Sequence, residues 1–237
     1  MYLIYGGGGA IGGAIARQLA GAGHACHLVG RDRRKLEDVA LATNADFTEG
    51  DVADDATFDR VAAAVGEAPL SGLVYAVGNI RLKPFHRLTA DEIMADFTLH
   101  ALGAWRAVTA ARKGLMAGKG SVLLFSTVAV DQGFSNHASV AMAKGAVVGL
   151  TRSLAADLAP LVRVNAIAPS LTTGGMGDAV AGSDKMREAI GKAHPLKRLG
   201  EGADMAPLAA ALLAPEGWVT GQVIGVDGGR GALRVGD

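Results

Sequence analysis

One cysteine, Cys26, stands among 237 residues, which excludes an internal disulfide and any metal site built on paired thiolates. A single free thiol fits a reducing compartment, and a cytoplasmic protein is expected. Aromatic residues make up only 5% of the chain, so the core must rest on aliphatic and small side chains, with helices lying close on a sheet. Neither sign of charge is in excess. The 23 Lys+Arg against 23 Asp+Glu leave no net field to draw nucleic acid or an anionic membrane, and neither partner is expected. Long apolar runs are missing as well, with none approaching the ~18 residues of a membrane span. The opening "MYLIYGGGG" passes directly into a strand and a glycine loop, not into a leader peptide. The six histidines are not spaced with Cys or carboxylates as metal ligands, so no metal is expected. "GFSNH" lacks the G-x-S-x-G elbow of hydrolases, and "GGGGAIGG" lacks the G-K-[ST] ending of a P-loop.

What the chain does have is an alternation of short apolar runs with helical patterns. "YLIY", "ACHLVGR", "DFTEGDV", "LSGLVYAVGN", "GSVLLFST", "VRVNAIAPS" and "TGQVIGVDGG" read as strands. Between them lie helical stretches, such as the one with Ile11, Ile15 and Leu19 on one face, a long helix over roughly 90–117, and "HASVAMAKGAVVGLT". Continuous apolar strands alternating with helices predict an α/β fold: one doubly wound parallel sheet of Rossmann type with helices on both faces. The whole chain, 1–237, reads as one domain. Residues 171–197 differ in texture. Gly174, Gly175, Gly177 and Gly182 are interspersed with short helical pieces, which predicts a mobile substrate lid.

The first strand-to-helix connection, "YGGGGAIGGAIA", contains G-x-G-x-x-G at Gly7, Gly9 and Gly12. Glycine takes a tight turn at least cost and lets a diphosphate approach the backbone. Amides at the helix N-terminus then face the anion. The second strand ends "LVGRDRRKL". Gly30 occupies the position of a ribose-binding carboxylate, and Arg31 follows with Arg33, Arg34 and Lys35. An arginine fork suits a 2′-phosphate, so NADP is the expected cofactor, with Asp32 keeping NAD open.

Further stretches carry a likeness. Asp51–Val52 follows the third strand, "RVNAIAPS" fills the sixth, and "RLGEGADMA" and "VTGQVIGVDGG" close the chain. With the loop "YGGGGAIG", these residues resemble the short-chain dehydrogenase/reductase family, near its 3-oxoacyl-acyl-carrier-protein reductase-like branch. The resemblance covers essentially the whole chain. It implies a dinucleotide site drawn from Gly6, Gly9, Ala10, Ile11, Gly12, Asp51, Val52, Ala76, Gly78, Lys144, Pro169 and Thr172, to which the charge argument adds Arg31. Tyr5 replaces the family's threonine, Ala10 its middle glycine and Ser170 the glycine after Pro169.

The family's catalytic positions are altered. "YAVG" stands for N-N-A-G, so Tyr75 and Ala76 replace asparagines, and His100 replaces the asparagine of the long helix. Thr127 aligns with the serine, with Ser126 beside it. The tyrosine of Y-x-x-x-K falls on Val140, and Lys144 alone is unchanged. In the family, hydride passes between nicotinamide C4 and a carbonyl or alcohol carbon. Tyrosine exchanges the proton, serine holds the oxygen, and lysine holds the ribose. Here the expected catalytic set is Lys144 and Thr127, with His137 or Tyr75 in proton transfer; His100 reads as a structural hydrogen-bonding residue. The expected activity is NADPH-dependent reduction of a small carbonyl or oxoacyl compound. The alternative is an inactive dinucleotide-binding sensor or scaffold. A homodimer or homotetramer is expected, paired through the long helix and the helix of Lys144, with Ala101, Ala104 and Ala111 allowing close approach.

Overall fold

The computed structural model describes residues 1–235. Seven strands form one parallel sheet: β1 Tyr2–Tyr5, β2 Cys26–Gly30, β3 Asp46–Glu49, β4 Gly72–Tyr75, β5 Ser121–Phe125, β6 Arg163–Pro169 and β7 Val223–Val226. Their order is β3-β2-β1-β4-β5-β6-β7. The residues of β1, β4 and β5 are buried throughout, as expected where helices cover both faces of a sheet. On one face α1 (Ala10–Gly21), α2 (Arg33–Thr43) and α9 (Gly202–Leu213) set Ile15, Leu36 and Leu212 against Ile4 and Leu28. On the other, α3 (Ala56–Val65), α5 (Gly103–Gly118) and α6 (Ala138–Leu158) set Phe58, Leu115 and Val147 against Leu3 and Leu73.

The strand order reverses between β1 and β4, and there the carboxyl ends of the strands open a crevice. At this point the glycine loop crosses β4. Gly6 has φ +80°, and a Cβ on it would lie 2.5 Å from the Ala76 carbonyl oxygen, so no side chain fits.

The helix expected over 90–117 runs from Ala90 to Gly118, but it is not uniform. It divides into α4 (Ala90–Phe97), a π-helical turn (Thr98–Leu102) and α5. The Leu99 carbonyl inside the widened turn accepts a hydrogen bond from the Tyr75 hydroxyl at 2.7 Å. Ala101 and Ala104 face inward, 6% and 0% exposed. The sequence reading set them on a pairing surface; their small size instead lets the helix approach the sheet. The outward side carries Met94 and Trp105, and Met142 stands exposed on α6. In the segment 171–197, α7 (Met176–Ala181) and α8 (Asp184–Lys192) follow the positive-φ pair Gly174 and Gly175.

Candidate active site

The glycine loop is shaped for close approach of a ligand. α1 begins after Gly9, and it has neither a capping side chain nor an acidic residue in its first turn. Its N-terminal amides and dipole therefore face the crevice without an internal anion. A Cβ on Gly12 would lie 2.3 Å from the Gly6 carbonyl oxygen. Ala10 and Ile11 form the first turn of the helix between these glycines. The cradle fits a diphosphate.

The start of α2 lies beside this loop: a Cβ on Gly8 would meet the Lys35 Cβ at 3.1 Å. Asp32 does not present a free carboxylate. It caps α2, accepting from the Lys35 amide at 3.2 Å, and it pairs with the Lys35 ammonium at 3.2 Å. The Lys35 amide and ammonium hold its carboxyl below the usual carboxylate range. Arg31 is exposed and reaches the Asp51 carboxylate at 3.5 Å. Val52, next in the chain, is buried.

Beyond the loop lies a cavity of about 340 Å³. Ala76, Gly78, Thr127, Lys144, Pro169 and Thr172 all line it, which brings the expected inner binding residues together. Lys144 is buried, and its ammonium donates to the Phe125 carbonyl at 2.7 Å. Burial pulls its pKa down to about 7, because desolvation disfavours the charged form. The Thr127 hydroxyl lies 3.4 Å from the Pro169 carbonyl oxygen and 3.3 Å from the Ala129 amide. Val140 also lines the cavity and offers only methyl groups.

Tyr75 is not part of this cavity wall. Its side chain is 2% exposed and packs against Tyr5 with ring centroids 5.8 Å apart. Its hydroxyl is engaged by Leu99, and burial raises its pKa far above the ordinary phenol. Strand alternation turns it into the core, where Gly103 leaves room for the hydroxyl. The expectation that it moves the catalytic proton is therefore withdrawn. His137 does line the cavity, but it precedes α6 and is not on its face; its Nδ1 donates to the Ser135 carbonyl at 2.7 Å.

Two constellations escaped the sequence reading. In the first, Asp96 is fully buried and accepts from Ser139 Oγ at 2.5 Å, Asn79 Nδ2 at 2.8 Å and Arg81 Nε at 3.1 Å. This holds Asn79 so that its Oδ1 faces His100 Nε2 at 2.9 Å. The Asn79 backbone amide also lies against Nε2, at 3.4 Å, and the His100 Nδ1 is buried without a partner. A Cβ on Gly78 would lie 2.9 Å from that Nδ1 and 3.6 Å from Lys144 Nζ, so the imidazole and the ammonium flank one point. Burial, then the Lys144 charge, pushes the His100 pKa down to about 2. In the second, Ser170 Oγ meets His194 Nε2 at 2.8 Å, and both residues line the cavity.

A family model described as Enoyl-(Acyl carrier protein) reductase matches residues 8–230. The Uncharacterized oxidoreductase MT0954 of Mycobacterium tuberculosis (strain CDC 1551 / Oshkosh) is 34% identical, with 96% of this chain and 90% of that protein covered. The chain belongs to the short-chain dehydrogenase/reductase family. This is a family of NAD(P)-dependent oxidoreductases. The 2-(S)-hydroxypropyl-CoM dehydrogenase 3 of Xanthobacter autotrophicus (strain ATCC BAA-1158 / Py2) is also 34% identical, covering 97% of this chain and 96% of that one. Among solved structures, that of Levodione Reductase superposes with a TM-score of 0.92 at 28% identity, over 98% of both chains. Val140 and Lys144, one turn apart on α6, both line the cavity.

Proposed function

We propose that the protein reduces a small carbonyl or oxoacyl compound with NADPH. The observation that carries this reading is the convergence of a buried lysine, a hydroxyl at Thr127 and the open end of the glycine cradle on one cavity. Bound there, the coenzyme supplies a hydride from nicotinamide C4.

The chain's own residues do the rest. The amides of Ala10, Ile11 and Gly12 and the bare backbone of Gly6 and Gly9 hold the diphosphate. Arg31 leaves its loose contact with Asp51 to take the 2′-phosphate, while Asp32 stays on its helix cap. Asp51 and Val52 flank adenine, and Ala76, Gly78, Pro169 and Thr172 shape the inner chamber. Lys144 holds the ribose, and the Thr127 hydroxyl donates to the substrate oxygen. Val140 exchanges no proton, so another group on the wall takes part in that step. His137 is the candidate favoured by the sequence; His100 and His194 also line the cavity. α7 and α8 place Met176, Val180 and Ile190 over the chamber, and the segment 171–197 acts as its lid. The exposed Met94, Trp105 and Met142 support pairing of the long helix and α6 with a second copy.

The test is oxidation of NADPH with a panel of simple ketones, diketones and a 3-oxoacyl thioester. Native turnover that is lost in Lys144→Ala is expected. Full activity in Lys144→Ala contradicts the assignment of the lysine, and activity seen only in Val140→Tyr marks the native protein as non-catalytic.

A further inference from the structure

A reductase with valine at position 140 needs another source for the proton that accompanies the hydride. The Ser170–His194 pair has the geometry for it. His194 Nδ1 lies 2.8 Å from the Ile190 carbonyl oxygen, and Nε2 lies 2.8 Å from Ser170 Oγ. A carbonyl only accepts, so Nδ1 carries the proton of the neutral ring. The bare Nε2 then accepts from the serine hydroxyl. The ring is 2% exposed, so this tautomer and orientation are built into the fold. A hydroxyl on an imidazole, with a third group fixing the ring, is an arrangement that moves protons at the hydroxyl.

The pair also stands in the right place. Ser170 follows Pro169 at the end of β6, and the Pro169 carbonyl oxygen lies 3.4 Å from the Thr127 hydroxyl. Ser170 and Thr127 are thus on adjoining loops of one wall, in the cavity that Lys144 and Val140 also line. His137, by contrast, is half-buried, and its ring donates to the Ser135 carbonyl of its own loop.

We propose that Ser170 and His194 form the proton relay of the reduction, a reading that rests on the reductase function above. As the carbonyl carbon gains the hydride, the C=O π pair moves onto oxygen, which takes the Ser170 Oγ proton. Ser170 regains a proton from Nε2 of the His194 imidazolium, which is left as the neutral ring with its proton on Nδ1. In alcohol oxidation the same protons run the other way. Ser170 is the catalytic residue and His194 recharges it. The charged groups around His194 are Arg230, whose guanidinium donates to the Ala193 carbonyl, Asp227, and the Arg198–Asp204 pair of the adjoining cleft; Lys144 faces it from across the cavity.

The relay is read from kcat for the best carbonyl compound of the panel, followed over about pH 5 to 9. Reduction consumes a proton delivered through the relay, so native kcat is expected to fall as pH rises. In Ser170→Ala and His194→Gln, kcat is expected to fall by ~10²–10⁴ and the pH limb to vanish, with native NADPH affinity and melting temperature. Should His194→Gln fail to fold, Ser170→Ala decides alone, since it removes one hydroxyl. Unchanged kcat and pH profile overturn the relay but leave the reductase reading in place. Loss of rate with the limb intact marks a structural tie and also overturns it, as does disappearance of the limb only in His137→Gln. Coenzyme uptake without turnover of any carbonyl by the native protein overturns the parent reading, and the relay with it.

Discussion

Lys144 is the central residue of the proposed chemistry, and its environment is expensive for a cation. Its folded pKa is drawn down to about 7, against ~10.4 for a lysine in an unfolded chain. Between those values the unfolded chain binds a proton that the fold does not, so stability of the coenzyme-free protein rises with pH across that window. Denaturant unfolding at several pH values should show this rise relative to Lys144→Met, in which it is absent; equal slopes in the two proteins contradict it. His100 has the same sign in a lower window. Its pKa of about 2 means that stability falls as pH drops below ~6.5, and His100→Gln should lessen that acid sensitivity. Lys144 was legible from sequence, because a lone lysine among Ala, Met, Gly and Val is not a solvated face. Ser170 and His194 were not, since only the folded approach of the lid to β6 joins residues 24 apart. Tyr75 misled because its place at a strand end was visible while the direction of its side chain was not.

At the level of elements, the crossover from β1 to α1 and the start of α2 make the proposed coenzyme site. Gly12→Val should abolish NADPH binding and cost the fold ~1–3 kcal/mol, as overpacking does, because even a Cβ there collides with the Gly6 carbonyl. Binding measured beside a thermal melt checks both. Arg31→Ala should leave the melting temperature unchanged, since exposed ion pairs such as Arg31–Asp51 contribute little. The same variant should lose roughly tenfold or more in preference for NADPH over NADH, the scale of one charge-assisted contact. The glycine loop was readable because its spacing has one physical purpose in a strand–loop–helix setting. The π-helical turn was not, since it forms around the Tyr75–Leu99 hydrogen bond, a contact between distant parts of the chain. His137 fell outside α6 for a similar reason: helix boundaries depend on local capping, which periodicity does not resolve.

For the whole molecule, apolar strands alternating with helices were enough to expect a parallel sheet covered on both faces, while the order β3-β2-β1-β4-β5-β6-β7 comes from the folded structure. Which small residues face outward was harder to read. Ala101 and Ala104 serve the core, whereas Trp105 and Met142 remain uncovered. A dimer or tetramer by light scattering, reduced to monomer by Trp105→Glu with Met142→Glu, is the expected outcome; a native monomer contradicts the pairing. The reading as a whole depends on the glycine cradle taking up a pyridine coenzyme. The most direct test is calorimetric titration of the folded native protein with NADPH and with NADH. Saturable binding of one coenzyme per chain, tighter for NADPH, is predicted. Absence of binding heat for both, with no shift in melting temperature at high coenzyme concentration, contradicts the account.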